Sequence, residues 1–143
     1  MLVNKKLRDL RTTKLIRKLD DFHSDDITQI RFHSDGTLIT GSMDGNICMF
    51  DLKIQEEDDV LVTGINLEDS ISKIEFHGDK KQYISCLTHS ERLSIWQLDG
   101  TRLKFYDSIR EQLSTSDFSV QYCIDTYYDP LLAKSFLAVG NHE

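Results

Sequence analysis

Hydrophobic and polar residues alternate along most of this chain in short runs that turn residues separate. The run at residues 27–33 is followed by SDG, the run at 37–42 by MDG, and the run at 46–52 by a polar stretch before a fourth run at 60–66. Alternation with a period of two predicts strands, and Asp-Gly supplies the positive φ that tight hairpin turns need. The pattern therefore predicts four short strands that pair antiparallel with their sequence neighbours.

This four-strand pattern occurs twice. When Ile27 is set under Ile71, ITQIRFHSDG aligns with ISKIEFHGDK at an offset of 44 residues. Farther along, LITGSMDGNICMFDL falls on YISCLTHSERLSIWQL, which pairs Thr40 with Ser85 and Asp44 with His89. After one residue is inserted in the turn, Phe50 pairs with Trp96. A period of this length is typical of stacked supersecondary units that bury their apolar faces against one another.

The residues outside the two repeats extend the same pattern. RDLR at 8–11 takes the place of FDLK at 50–53, FLAVGNHE at 136–143 falls on TLITGSMD, and residues 106–118 form a longer connection that we expect to hold one helical turn. We therefore expect four segments: the end of a preceding unit at 1–22, a full repeat at 23–66, a second repeat at 67–106, and a linker with the start of a third unit at 107–143.

These features resemble the WD-repeat β-propellers. The resemblance rests on His23 before the first strand, the Asp-Gly turn at 44–45, and Phe50-Asp51 at the place where a Trp-Asp dipeptide normally ends the third strand. It implies an all-β fold of propeller blades, about three of an expected seven. We therefore expect an incomplete propeller, a fragment in which no ring closes on one chain and which self-associates when it is produced alone.

The family resemblance also assigns roles to a histidine, a hydroxyl residue, an aspartate and a tryptophan, which form a hydrogen-bonded network within each blade. In the first repeat these positions are held by His23, Thr40, Asp44 and Phe50. Because phenylalanine has no N–H to donate, we expect a network of three members there.

The second repeat departs further from the family pattern. Leu67 stands at the histidine position and His89 at the aspartate position, whereas Ser85 and Trp96 remain. We expect the indole of Trp96 to donate a hydrogen bond to Ser85.

The histidine, threonine and aspartate of the first repeat also allow a hydrolase interpretation. A nucleophilic threonine must be exposed beside an oxyanion hole. Thr40 instead lies in the middle of an apolar run, without the glycines of a nucleophile elbow. The spacing therefore favours a structural role, and we expect no catalytic residue.

The distribution of charge along the chain disfavours one class of partner. The net charge of −7 divides into +6 for residues 1–18 and −13 for the remainder. An acidic body repels phosphate backbones, so nucleic acid is a disfavoured partner. The basic N-terminal residues are either a solvated strand face or a targeting or nucleic-acid patch.

Cysteine usage and hydropathy indicate the compartment. The three cysteines are far apart and form no C-x-x-C pair, so we expect neither a disulfide framework nor a metal site, and no cofactor. No run resembles a signal peptide or a membrane span. We expect a cytoplasmic or nuclear protein without a membrane partner.

The resemblance implies binding rather than chemistry. Propeller loops suit the gripping of peptides or other domains, so we expect a non-enzymatic protein–protein interaction scaffold. The acidic residues 56–59, in a loop on one face, are candidate contact residues. On the other face, the candidate partner-binding loop residues are Asp25, Asp26, Met43, His89, Glu91 and Arg92.

An alternative is a substrate receptor of a cullin–RING ubiquitin ligase. The adaptor of such ligases recognises a Trp-Asp-x-Arg ending to a blade. RDLR at 8–11 and FDLK at 50–53 approach this motif, but both lack the tryptophan and the second has lysine for arginine. Lysine cannot reproduce the planar fork of arginine at a bidentate site, so the scaffold interpretation is favoured.

Overall fold

The computed structural model describes residues 6–56 and 58–142, and the regular secondary structure in this part of the chain is almost entirely β-strand. The strands are β1 (Lys6–Arg8), β2 (Leu15–Lys18), β3 (Ile27–Phe32), β4 (Thr37–Ser42), β5 (Asn46–Asp51), β6 (Leu61–Asn66), β7 (Ile71–His77), β8 (Tyr83–Thr88), β9 (Leu93–Gln97), β10 (Arg102–Tyr106), β11 (Tyr122–Asp129) and β12 (Lys134–Gly140). One short helix, α1 (Ile109–Leu113), lies between β10 and β11, where the sequence predicts a helical turn.

Within residues 6–56 and 58–142, the strands form four antiparallel sheets in which sequence neighbours are also spatial neighbours. Two sheets have four strands, β3-β4-β5-β6 and β7-β8-β9-β10, and two sheets have two strands, β1-β2 and β11-β12. The first strands of successive sheets, β3, β7 and β11, lie side by side. The predicted all-β arrangement of stacked, meandering sheets is confirmed.

The Asp-Gly turns have the geometry that the sequence predicts. Gly36, between β3 and β4, has a φ of 98°, and Gly45, between β4 and β5, has a φ of 83°. A Cβ atom disfavours these angles, so glycine fits both positions. In the second four-stranded sheet, the turn between β7 and β8 contains Gly78 at a φ of 86° and is longer.

This longer turn corrects the sequence alignment of the two repeats. Phe32 pairs with Leu38 across the first hairpin, six residues on, whereas Phe76 pairs with Ile84, eight residues on. Two residues are therefore inserted before β8, and the offset between repeats rises from 44 to 46. The structural counterpart of Thr40 is consequently Cys86, and that of Asp44 is Ser90. The pairings of Thr40 with Ser85 and of Asp44 with His89 are therefore wrong.

The main core lies between the two four-stranded sheets. Ile39 and Met49 of the first sheet pack against Ile71 and Ile74 of the second, and all four are essentially inaccessible to solvent. Each such side chain contributes about 1.5–3 kcal/mol when it is removed from water. The sheets approach so closely at Gly41 that a Cβ atom there would lie 2.6 Å from the side chain of Ile71.

A second core joins the β1-β2 sheet to the first four-stranded sheet. Leu19 packs with Leu38 and Phe50, and Leu7 of β1 is packed against this cluster. The sheets therefore stack in chain order. Division of the chain at residues 22, 66 and 106 remains a prediction, and residues 1–5 of its first segment lie outside the described part.

Candidate functional site

The histidine, threonine and aspartate of the first repeat meet at one end of the first four-stranded sheet. His23 Nε2 lies 2.7 Å from Thr40 Oγ1. His23 Nδ1 lies 3.3 Å from Asp44 Oδ2, and the two side chains are 0% and 5% exposed. A carboxylate can only accept hydrogen bonds, so Nδ1 donates to Asp44 and Nε2 accepts from the threonine hydroxyl. The imidazole thus links a strand to the following turn.

Asp44 also holds the backbone around it. Its Oδ2 accepts the N–H of Ser24 at 2.8 Å, and its Oδ1 accepts the N–H of Asn46 at 2.9 Å. Burial alone would raise the pKa of this carboxyl, but the two backbone donors and the neighbouring His23 outweigh it, so the pKa is lowered. The group stays ionised in the folded protein at lower pH than an exposed aspartate does.

Phe50 lies outside this network. Its side chain is 1% exposed and packs edge-on against Phe22, with 5.1 Å between the ring centroids. Phe50 pairs with Leu38, and directly paired residues point to the same side of a sheet. Leu38 and Thr40 are two residues apart on β4, so Phe50 and Thr40 also point to the same side. Phe50 therefore contributes apolar packing at the family's tryptophan position.

The second repeat does not contain the predicted hydrogen bond between Trp96 and Ser85. Trp96 Nε1 donates to Ser94 Oγ at 2.8 Å. Trp96 pairs with Ile84 and Ser85 pairs with Ile95, so the two side chains point to opposite faces of the sheet. The correction follows from the two inserted residues, which shift Ser85 by one position relative to Thr40 and reverse its face.

Ser85 instead joins a buried polar cluster with a histidine that the sequence analysis did not single out. Its Oγ lies 2.7 Å from His77 Nε2 and 2.6 Å from Thr126 Oγ1. His77 Nδ1 lies 2.8 Å from Ser135 Oγ. The cluster ties the second four-stranded sheet to β11 and β12. The only sequence signal for it is that His33 and His77 coincide in the aligned repeats.

The surroundings of His77 disfavour the protonated, charged form of its imidazole. Burial lowers the pKa of its imidazole, and the charge of Glu75 only partly offsets this effect. Hydroxyl groups surround both ring nitrogens, so the neutral form is fully hydrogen-bonded. The arrangement is that of a structural polar network inside the stack.

Five connections come together at the end of the sheets that carries Asp44, and we call this surface the loop face. It comprises residues 19–26, 43–45, 67–70, 89–92 and 107–121. Hydrogen bonds cross it from one connection to the next: Met43 N–H to Asp26 O at 2.9 Å, Ser70 Oγ to Met43 O at 2.8 Å, and His89 N–H to Ser70 O at 2.8 Å. Successive repeats thus present one continuous surface.

All six candidate partner-binding residues belong to the loop face, but they differ in their surroundings. Asp25, Asp26, Met43 and His89 are exposed. Glu91 and Arg92 are only partly exposed and hold neighbouring connections together. Glu91 pairs with Arg110 at 2.7 Å and accepts the N–H of Cys123 at 3.0 Å. Arg92 lies between Asp69 at 3.7 Å and Asp107 at 3.5 Å.

The loop face is strongly acidic. Its five connections carry eleven aspartates and glutamates but only two arginines. Both arginines, Arg92 and Arg110, already face carboxylates of the same surface. The acidic residues 56, 58 and 59 lie in the β5–β6 connection at the opposite end, and residue 57 is outside the described part.

Comparison with protein families decides what these sheets are. The model of the WD domain, G-beta repeat, matches residues 13–51, which include the His23, Thr40 and Asp44 network and the first three strands of the first complete sheet. This chain is a member of the WD-repeat family. Its four-stranded sheets are WD-repeat blades.

Two WD-repeat proteins are similar in sequence to most of this chain. The WD repeat-containing protein 89 homolog of Dictyostelium discoideum is 43% identical over 128 residues, which cover 86% of this chain and 36% of that protein. WD repeat-containing protein GTS1 of Arabidopsis thaliana is 38% identical over 127 residues, covering 85% of this chain and 32% of that protein. The chain spans about a third of the length of these two relatives.

Solved WD-repeat structures share the fold. The β-propeller domain of Cps50 (Swd1) from Myceliophthora thermophila superposes with a TM-score of 0.69 at 18% identity and covers 96% of this chain and 43% of that chain. The C-terminal WD40 domain of Sif2 gives a TM-score of 0.64 at 16% identity, with 87% and 34% covered.

In the described part of the WD-repeat chain, no helix has the length and apolar character needed to cross a membrane.

Proposed function

We propose that this WD-repeat chain is a protein–protein interaction scaffold and that the loop face is its binding surface. WD-repeat domains generally mediate contacts between proteins. The observation that carries the proposal is the charge of the loop face, where eleven acidic residues stand against two arginines. A surface of this sign attracts positively charged segments and speeds their association. The partner we propose is therefore a basic peptide or a basic protein surface.

Exposed side chains of the loop face would contact the proposed partner. Asp25 and Asp26 offer carboxylates, and Met43, which is 44% exposed, offers an adaptable apolar contact between them and the next repeat. Their backbone is held by hydrogen bonds to neighbouring connections, so little ordering is needed when a partner binds.

The buried network supports a scaffold rather than a hydrolase. His23 is 3% exposed and Thr40 is 2% exposed. The threonine hydroxyl is engaged by the imidazole, and no substrate atom can reach it without the sheet being opened. We therefore assign these residues to the positioning of the loop face, with no catalytic step.

We also propose a cytoplasmic or nuclear location. None of the three cysteines forms a disulfide, and Cys48 and Cys86 are buried as small apolar side chains. Thiols in this state are typical of proteins kept in reducing compartments. Microscopy of a fluorescent fusion tests the location, and secretion of the fusion would contradict it.

Affinity purification from cell extract with three forms of the chain tests the binding surface. The first is the wild type. The second is Asp25→Asn/Asp26→Asn/Glu68→Gln, which removes three exposed charges from the loop face. The third, Glu56→Gln/Asp58→Asn/Asp59→Asn, removes three charges at the opposite end and is the matched control.

We expect the proteins bound by the wild type to be retained by the control and reduced about tenfold by the loop-face variant, with binding that weakens as salt is raised. Equal retention by all three forms, or loss confined to the variant at residues 56–59, would contradict the proposed surface.

A further inference from the structure

The connection between β10 and β11 is much longer than the corresponding connections between the other sheets. It spans the fifteen residues 107–121, whereas the four residues 67–70 join β6 to β7 and the eight residues 19–26 join β2 to β3. All three lead from the last strand of one sheet to the first strand of the next. Since four residues are enough for this step, the 107–121 connection brings about eleven additional residues to the loop face.

The 107–121 connection is a compact loop that its own hydrogen bonds hold together. Arg110 Nη1 donates to Gln121 O at 2.9 Å, and Val120 N–H donates to Ser114 Oγ at 3.0 Å. In the described part of the chain, residues 111–119 make all their hydrogen bonds within this connection. Loss of a contact with the rest of the loop face would therefore leave the loop itself folded.

Two ion pairs join this connection to the turn between β8 and β9. Arg110 Nε lies 2.7 Å from Glu91 Oε2, and Asp107 Oδ1 lies 3.5 Å from Arg92 Nε. The side chain of Arg110 is 50% exposed. Solvent screens an ion pair of this exposure, so the pair contributes little stability. Another cation can therefore take the place of Arg110 at little cost to the fold.

The corresponding turn of the first blade is held by a buried carboxylate instead. Asp44 is 5% exposed and accepts the backbone N–H groups of Ser24 and Asn46. Its counterpart in the second blade is Ser90, whose hydroxyl donates to Asp69 at 3.2 Å. The turn of the second blade thus depends on ion pairs that a charged partner can reach.

Glu91 is positioned to accept a new donor when Arg110 leaves. Its Oε1 accepts the N–H of Cys123 at 3.0 Å, which fixes the carboxylate. Among the described residues, none donates a well-aligned hydrogen bond to Oε2, although Arg110 lies close to it. A better-aligned donor on Oε2 is therefore favoured. A pocket of about 90 Å³ beside the pair, lined in part by Ser90 and Asp107, gives access to it.

We propose that Arg110 is an internal substitute for a basic residue of the partner and that binding of the partner displaces it from Glu91. This inference rests on the proposed function, in which the loop face binds a basic peptide or protein surface. Arg110 brings to a loop-face carboxylate the same kind of group, a guanidinium, that an arginine of the partner would bring. The 107–121 connection therefore competes with the partner and lowers the affinity of the loop face.

Fluorescence anisotropy with a labelled peptide of alternating arginine and glycine tests this competition in the 143-residue chain. The proteins compared are the wild type, Arg110→Gln, Glu91→Gln and the variant that combines both changes. Glu91→Gln removes the charge that Arg110 faces and keeps an oxygen that can accept the N–H of Cys123. Ser116→Asp, at an exposed position of the same connection, is the control for the added negative charge of Arg110→Gln.

We expect Arg110→Gln to bind the peptide about two- to fivefold more tightly than the wild type, because the peptide no longer replaces an existing ion pair. Ser116→Asp should strengthen binding less. In the Glu91→Gln background, Arg110→Gln should add no more than Ser116→Asp does. A general effect of charge would strengthen binding equally in both backgrounds. An equal gain with and without Glu91, or no gain at all, would overturn the proposal.

The proposed function is tested separately in the same titrations. Asp25→Asn/Asp26→Asn/Glu68→Gln should weaken binding of the peptide to the loop face. If it does, and Arg110→Gln has no effect that depends on Glu91, only the displacement is wrong. If none of the proteins binds the peptide, both proposals are contradicted. Circular dichroism checks that every variant is folded.

Discussion

At the residue scale, Asp44 joins three parts of the first blade. Its carboxylate accepts the backbone N–H of Ser24, in the connection before β3, and that of Asn46, the first residue of β5, and it faces the imidazole of His23. Thr40 and His23 then complete a chain in which each buried polar group has a partner. Hydrogen-bond satisfaction, rather than nucleophile activation, explains why these residue types occur at these positions.

The first prediction compares Asp44 with His89, a loop-face residue of the second blade that the sequence alignment wrongly sets at the aspartate position. Asp44→Ala leaves the donors of Ser24, Asn46 and His23 without their acceptor, so we expect a loss of about 1–3 kcal/mol in the free energy of unfolding. His89 is exposed, and His89→Ala should cost little. Urea unfolding midpoints measure both variants, and equal losses would refute the distinction.

The second prediction concerns His77 and acid. Burial lowers its pKa below the ordinary value of 6.5, so the unfolded chain binds a proton at a pH at which the folded chain does not. The stability that this group contributes is therefore present above about pH 6.5 and is lost as the pH falls toward the folded pKa. Urea midpoints at pH 7.5 and 5.5 should fall more for the wild type than for His77→Gln. An identical decrease in both proteins would contradict this assignment.

At the element scale, the spacing of strands sets which side chains meet. The alternating pattern predicted the first repeat closely, since the run at 37–42 is strand β4 itself. It could not predict the contacts of Ser85, because the alignment sets this residue one position short of Cys86, the true counterpart of Thr40, and a difference of one position moves a side chain to the other face of the sheet. Strand existence is a local property of the sequence, whereas register depends on the geometry of the turn and on packing with the next sheet.

The third prediction tests how closely the complete blades approach. A Cβ atom at Gly41 would lie 2.6 Å and 2.7 Å from atoms of Ile71 and Ile74, whereas nothing lies within 4 Å of the same position at Gly64. We expect Gly41→Ala to destabilise the protein by about 1–3 kcal/mol through overpacking. Gly64→Ala should be neutral or slightly stabilising, because it restricts the unfolded chain. Thermal unfolding of the two variants measures the difference, and a neutral Gly41→Ala would show that the sheets are farther apart.

At the scale of the whole molecule, the order of the sheets follows the order of the chain. The 44-residue repeat in the sequence was enough to predict stacked blades, because a repeated unit that cannot bury its own apolar face must bury it against its neighbour. The polar cluster of His77, Ser85 and Thr126 was not predictable in the same way. It involves residues up to 58 positions apart, and its members come from an apolar pattern in which serine and threonine are unremarkable.

For the loop face too, the sequence predicted which residues lie in loops but not their contacts with residues distant in the chain. Sequence reasoning placed Asp25, Asp26, Met43, His89, Glu91 and Arg92 in loops on one face. It did not predict that Glu91 and Arg92 would be engaged by Arg110, Asp69 and Asp107. The pairs with Arg110 and Asp107 form because the long connection at 107–121 returns over the end of the second blade, and Asp69 comes from the connection before β7.

Two complete blades stand between two two-stranded sheets, and amide hydrogen exchange measured by peptide mass spectrometry tests this arrangement most directly. The middle strands β4, β5, β8 and β9 are hydrogen-bonded on both sides. We expect residues 37–51 and 83–97 to form two blocks of slow and similar exchange, separated by fast exchange at 52–60 and 67–70. Fast exchange in either block, or equally slow exchange across residues 107–121, would contradict the architecture.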